Sequence, residues 1–218
     1  MTGTPTLGYF LIDPRPITAD AKYTFFLPSE TELAAVGEGD FVKLNFEHIP
    51  AGEEWAAERM WVIVREVADE LLSGILDNDP FEPTASVRAG DRVTFKRYHI
   101  YSIRWARPDM APSPNIYREY WERCLVDECV LDGSEPVEFL YREEPDMGRD
   151  NDRYPDSGWR VRGRMGAATD EDIDARKAQY VAIGAVLNQD DSWLHLIDEP
   201  IGIRLMRDYE TGNYLPEN

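Results

Sequence analysis

Apolar residues fall in short stretches along much of the chain, many of them closed by Gly, Pro or Asp-rich breaks. Residues 41–46 (Phe-Val-Lys-Leu-Asn-Phe) put every second side chain on one face, the signature of a half-buried strand. Residues 59–67 and 71–76 predict two more strands, the latter stopped by Asp77-Asn78-Asp79-Pro80. A further strand spans 93–95, with 100–105 continuing the sheet, and a short apolar run at 9–12 precedes Pro14 and Pro16. Ser29 followed by Glu32 has the spacing of a capping box, so a short helix is expected to open there and end by Gly37.

The sequence from Val36 (V-G-E-G-D-F-V-K-L-N-F-E-H-I) echoes the sequence from Val87 (V-R-A-G-D-R-V-T-F-K-R-Y-H-I). Val, Gly, Asp, Val, His and Ile recur at equal offsets, and each copy reads as a Gly-Asp turn feeding a strand. Two copies fall short of a solenoid, which needs about three repeats. Three prolines between Pro108 and Pro114 read as a linker. Beyond it, 116–121 suits a short helix, and 124–131 with 137–141 a hairpin across Asp132-Gly133-Ser134. A helix starting at Thr169-Asp170-Glu171-Asp172, where acids favour the macrodipole, is expected to run to about Gln179. Residues 180–187 read as a strand, 192–197 as a helical turn and 201–206 as the last strand. The expected fold is therefore α+β: two small sheet-based modules with a few short helices. The N-terminal module (1–106) is a small twisted sheet or barrel. The linker spans 107–115 and the C-terminal module 116–218.

At 218 residues with 43% hydrophobic positions, the chain is long enough to bury a core. Forty-two acids against 23 Lys and Arg leave a formal net charge of −19, which repels nucleic acid and anionic membranes and attracts a basic partner. Met1 to Gly8 has no basic, apolar signal-peptide pattern, and no apolar run approaches the roughly 20 residues of a membrane span. A cytoplasmic protein is expected. Cys124 and Cys129 are five apart, so on one strand they face opposite ways and share neither a disulfide nor a metal.

The chain lacks H-E-x-x-H, G-x-S-x-G, P-loop and G-x-G-x-x-G motifs. His48, His99 and His195 are scattered; His48 and His99 occupy equivalent places in the echo and read as hydrogen-bonded structural residues. Asp146, Asp150, Asp152 and Asp156 are hard-cation ligand types, but their spacing lacks the EF-hand order, so no metal and no cofactor are expected. The stretch 141–163 holds Arg142-Glu143-Glu144, a polar segment, and Asp156-Ser157-Gly158-Trp159-Arg160. An aromatic plate beside a charged fork is a recognition pairing. Equally, it reads as a loop between strands in which Trp159 anchors the core and Arg160 pairs with a nearby acid.

Four motifs in order resemble a bacterial family of immunity proteins from polymorphic toxin systems: Tyr141-Arg142-Glu143-Glu144-Pro145, Asp156 to Arg160, Gly184-Ala185-Val186-Leu187-Asn188, and Leu196-Ile197-Asp198-Glu199-Pro200-Ile201-Gly202. This chain departs from that family's pattern in an acidic helical region after the Trp. Glu58-Arg59-Met60-Trp61-Val62, Gly74 to Pro80 and Gly90-Asp91-Arg92-Val93 resemble a second small bacterial family of unknown function, which implies no activity. The first resemblance implies a non-enzymatic immunity protein that binds and inhibits a cognate, basic toxin. Candidate partner-binding residues are Arg142, Glu143, Glu144, Asp156, Ser157, Trp159, Arg160, Asp190, Asp191 and Trp193, with Trp61 as a further aromatic anchor. Two alternatives stay open. One is a small-molecule-binding or hydrolytic domain built on Arg160 and the carboxylates of the 143–156 loop. The other is a scaffold forming a homo-oligomer through its sheet edges.

Overall fold

The alternation at 41–46 does produce a strand that buries one face. The computed structural model describes residues 8–148 and 151–217, so residues 1–7, read above for a signal peptide, and Asp150 lie outside it. Two compact units divide the chain: residues up to 19 with Phe26–Tyr117, and residues 20–25 with those from Arg118 onward.

In the first unit, β1 (Gly8–Leu11), β2 (Phe41–Ile49), β3 (Ala57–Ala68), β4 (Leu71–Leu76) and β5 (Arg92–Lys96) form an antiparallel sheet in chain order, and β6 (Ser102–Arg104) pairs with β2. Val42, Leu44, Phe46, Met60, Val62, Leu72, Val93 and Phe95 point inward and are buried. The opposite face stays partly open. There the Lys43 ammonium lies 4.5 Å from the Trp61 ring centroid and the Arg104 guanidinium 4.0 Å from that of Phe41, their stems covering apolar surface. Two short helices, α1 (Arg15–Asp20) and α2 (Glu30–Ala35), precede β2, and the Ser29–Glu32 capping box opens the second as expected.

The echo is one turn used twice. Gly39 and Gly90 both have positive φ (90° and 94°). In each copy the following Asp accepts the amide three residues back: Gly37 N–H to Asp40 at 2.9 Å and Arg88 N–H to Asp91 at 2.8 Å. Beyond the turns the copies diverge. His48 Nε2 lies 3.0 Å from Glu58 in a strand, whereas His99 accepts the Lys96 amide in a 3-10 turn.

The second unit holds a mixed sheet in the order β10-β7-β9-β8-β11-β12. Its strands are β7 (Arg123–Asp127), β8 (Val137–Arg142), β9 (Asp156–Gly163), β10 (Ala178–Ala182), β11 (Arg204–Arg207) and β12 (Tyr214–Pro216). The hairpin expected at 124–141 does not form. After Asp127 the chain turns into α3 (Glu128–Leu131), burying Val130, and β9 enters between β7 and β8, parallel to the former and antiparallel to the latter. Residues 116–121 are not helical: Tyr117 stacks on Phe26 and Tyr120 meets Tyr23 edge-on, and extended backbone lets each aromatic reach a different partner. A helix does open at Thr169, held by a capping box with Asp172 that sequence reasoning missed, but α4 (Asp170–Asp174) is short. Arg176 donates to the carbonyls of Gly163 and Arg164, and from Ala178 the chain pairs with β7. The strand expected over 180–187 stops at Ala182 and becomes α5 (Ile183–Leu187), because Gly184 donates its amide to Tyr120 O at 2.9 Å. Trp159, Trp193, Val161, Leu140, Ile183 and Leu187 lie in this unit's core.

Candidate functional site

Three of the four motifs of the second unit meet at β9. This strand is flanked on both sides, so seven of its eight residues are buried and no face-to-face alternation survives. Its start is a bulge: Arg123 pairs with Asp156 and Leu125 with Arg160, so Ser157, Gly158 and Trp159 stand opposite Cys124 alone, two residues more than the register needs. Ser157 Oγ donates to Arg123 O at 2.6 Å and accepts the Trp159 amide at 3.2 Å. Gly158 has φ 81°, and a Cβ there would stand 2.1 Å from Glu143 O, so only glycine lets the loop after β8 lie against the bulge.

Arg160 is 2% exposed, and all five of its N–H donors are engaged. Nε donates to Glu143 (2.6 Å). Nη1 donates to Asp156 (3.0 Å) and Trp159 O (3.2 Å), and Nη2 to Asp156 (2.9 Å) and Asp146 (2.7 Å). Asp156 also accepts the amides of Gly158, Asp146 and Met147. Burial pushes the Asp156 carboxyl up, but Arg160 and these amides outweigh it and hold it below the ordinary carboxylate range. Burial likewise works against the Arg160 cation, and the bonds to Asp156 and Glu143 more than offset it. The arrangement fastens Glu143, Asp146 and Met147 to the start of β9.

Trp159 is fully buried, donates Nε1–H to Ile197 O at 3.2 Å, and meets the equally buried Trp193 edge-on at 5.6 Å. Arg142 lies with its guanidinium 5.6 Å from the Trp159 ring centroid and donates to Ser157 O (3.0 Å) and Glu199 O (2.6 Å). It therefore ties three of the four motifs together. The fourth holds the 20–25 segment: Asn188 accepts the Tyr23 amide at 2.8 Å and donates to Thr24 at 2.7 Å. Asp191 accepts from Lys22 (2.5 Å) and Tyr23 (2.6 Å), whereas Asp190 accepts the Val137 amide (2.9 Å) and Arg207 (3.2 Å).

The candidate residues thus divide. Asp156, Ser157, Trp159, Arg160 and Trp193 are interior and shape the surface without forming it, because each is used by its own neighbours. Arg142 and Asp190 are partly covered; Glu143 is half-exposed; Glu144 and Asp191 face solvent. Trp61 lies under Lys43 on the other unit's sheet. Sequence reasoning missed Asp127, which is buried and accepts from Arg162 (3.0 Å), Arg176 (3.4 Å) and the Gly163 amide (3.0 Å). An acid closing an apolar strand run opposite alternating arginines was the available signal. Burial pushes the Cys124 thiol up to about 12, leaving a thiol and not a nucleophilic thiolate at neutral pH.

Residues 124–216 match the model of the Immunity protein Imm33 domain, and residues 21–108 match that of an uncharacterized protein family conserved in bacteria (DUF2314). Both resemblances drawn from the motifs are borne out. No curated protein and no solved structure matches the chain.

Proposed function

We propose that this chain is an immunity protein that binds a cognate toxin in the cytoplasm and inhibits it without catalysis. The match of residues 124–216 to an immunity protein domain carries this reading. The state of Arg160 supports it over a catalytic or small-molecule role: a guanidinium with every donor engaged and 2% exposure has nothing left for a substrate. In this reading the buried motifs hold a rigid frame, and the exposed carboxylates around it contact the partner. Rigidity lowers the ordering cost of binding, and the net charge of −19 steers a basic toxin toward its site.

Glu144, Glu171 and Glu210 are exposed acids of the second unit. Reversing all three to Lys is expected to slow association with the toxin about tenfold or more and to flatten its salt dependence. Stopped-flow association across a salt series checks this, and unchanged rates would remove the electrostatic element. The partner itself is sought by affinity capture from native lysate at low and high salt with identification by mass spectrometry. A basic protein recovered in stoichiometric amount at low salt, whose activity the chain suppresses, is the expected result.

A further inference from the structure

The first unit carries two large aromatics that its core does not use. Trp55 is 53% exposed and Phe81 83% exposed, and among the described residues neither ring packs against another aromatic ring. They flank a cavity of about 610 Å³, within the size range of ligand sites, lined also by Glu54, Ala57, Glu58 and Arg59.

Both aromatics stand on loops whose backbones are fixed from inside. The buried Glu58 carboxylate accepts the Phe81 amide (2.7 Å) and the Glu82 amide (3.0 Å), with His48 Nε2 3.0 Å away. Glu82, 1% exposed, accepts the amides of Glu54 and Trp55 (both 2.9 Å) and of Thr84 (2.9 Å), and the Thr84 hydroxyl. These bonds, the Thr84 hydroxyl and Trp55 amide foremost, keep Glu82 ionised well below the ordinary carboxylate range. Gly52 completes the wrap: a Cβ there would stand 2.4 Å from the Glu82 carboxylate. Two buried carboxylates therefore hold the amides of the very residues whose rings face solvent. Such bracing serves no packing purpose for those rings, whereas it preorganises an aromatic pair for an incoming group.

The charge around the pair selects that group. Residues 50–56 and 77–84 hold Glu53, Glu54, Asp77, Asp79 and Glu82 and no Lys or Arg. The cation in the lining, Arg59, has its guanidinium 5.1 Å from the Tyr101 ring centroid. Aromatic faces framed by carboxylates attract organic cations.

We propose that this cleft docks an arginine or lysine side chain of a protein partner, gripped between Trp55 and Phe81 and facing Glu54. The proposal concerns the first unit and stands whether or not the immunity reading of the second holds. It is tested on the full chain by titrating acetyl-Gly-Arg-Gly-amide, with acetyl-Gly-norleucine-Gly-amide as the neutral control. The readout is the Trp55 indole N–H signal in NMR spectra, assigned by its loss in Trp55→Phe. A saturable shift with the arginine peptide is expected, with binding about tenfold weaker for norleucine and weakened likewise by Phe81→Ala. Phe81 is exposed, so its removal leaves the fold intact. Equal binding of the two peptides, or arginine binding unaffected by Phe81→Ala, overturns the proposal.

Discussion

Arg160→Leu is expected to destabilise the second unit by about 3–5 kcal/mol, because removing one partner of a buried ion pair strands the other. The stranded group is Asp156, whose side chain is 1% exposed, with Glu143 and Asp146 left beside it. For a unit of roughly a hundred residues this corresponds to a fall in Tm of at least about 10 °C. Arg160→Lys is expected to fall between, since an ammonium offers three donors where the guanidinium uses five. The loss also depends on pH. The Asp156 carboxyl is depressed in the folded protein, so the stability it contributes is complete above the unfolded carboxylate pKa of about 4 and is lost as pH falls through its folded value. The gap between the native chain and Arg160→Leu should therefore narrow below about pH 4. Urea unfolding across a pH series measures it; a gap that stays constant would mean the ion pair is not its source.

Trp159→Ala is expected to cost about 3–5 kcal/mol through lost packing and the cavity left behind. That is a large part of the 5–15 kcal/mol, roughly, that holds a domain together. Trp193 would lose its edge-on neighbour and Ile197 O its donor. Trp159→Phe fills most of the space but still leaves that carbonyl without its partner, so a smaller loss of about 1–3 kcal/mol is expected. The urea midpoint distinguishes a core residue from a contact residue. A stable Trp159→Ala protein that no longer bound its partner would show that the side chain meets the partner after all.

In the first unit β2 was legible because it buries one face, which leaves the period-two pattern intact in residues 41–46, and β3 because its apolar run at 60–64 is bounded by charged residues. The capping box at Ser29 was legible because both partners lie within four residues, and the start of α4 was legible from the acids gathered there. What failed was non-local. Strand β9 is buried on both faces and carries Asp, Ser, Gly and Arg at interior positions, so no periodicity marks it as central. Its insertion between β7 and β8 follows from pairings no local pattern encodes. The role of Arg160 was half visible: pairing with a nearby acid was expected, and the structure shows three acids closing one cage. The Trp55–Phe81 pair was invisible because its supports, Glu58 and Glu82, lie up to 28 residues from the amides they hold.

The most direct test of the account is a titration of the captured basic partner's activity with this chain at low salt. Inhibition that grows linearly and completes near one chain per partner, reversed by dissociation at high salt, is the predicted result. Progressive inactivation by a small fraction of an equivalent would reveal an enzyme, and undiminished activity with the partner fully bound would show that binding does not inhibit; either result contradicts non-catalytic immunity.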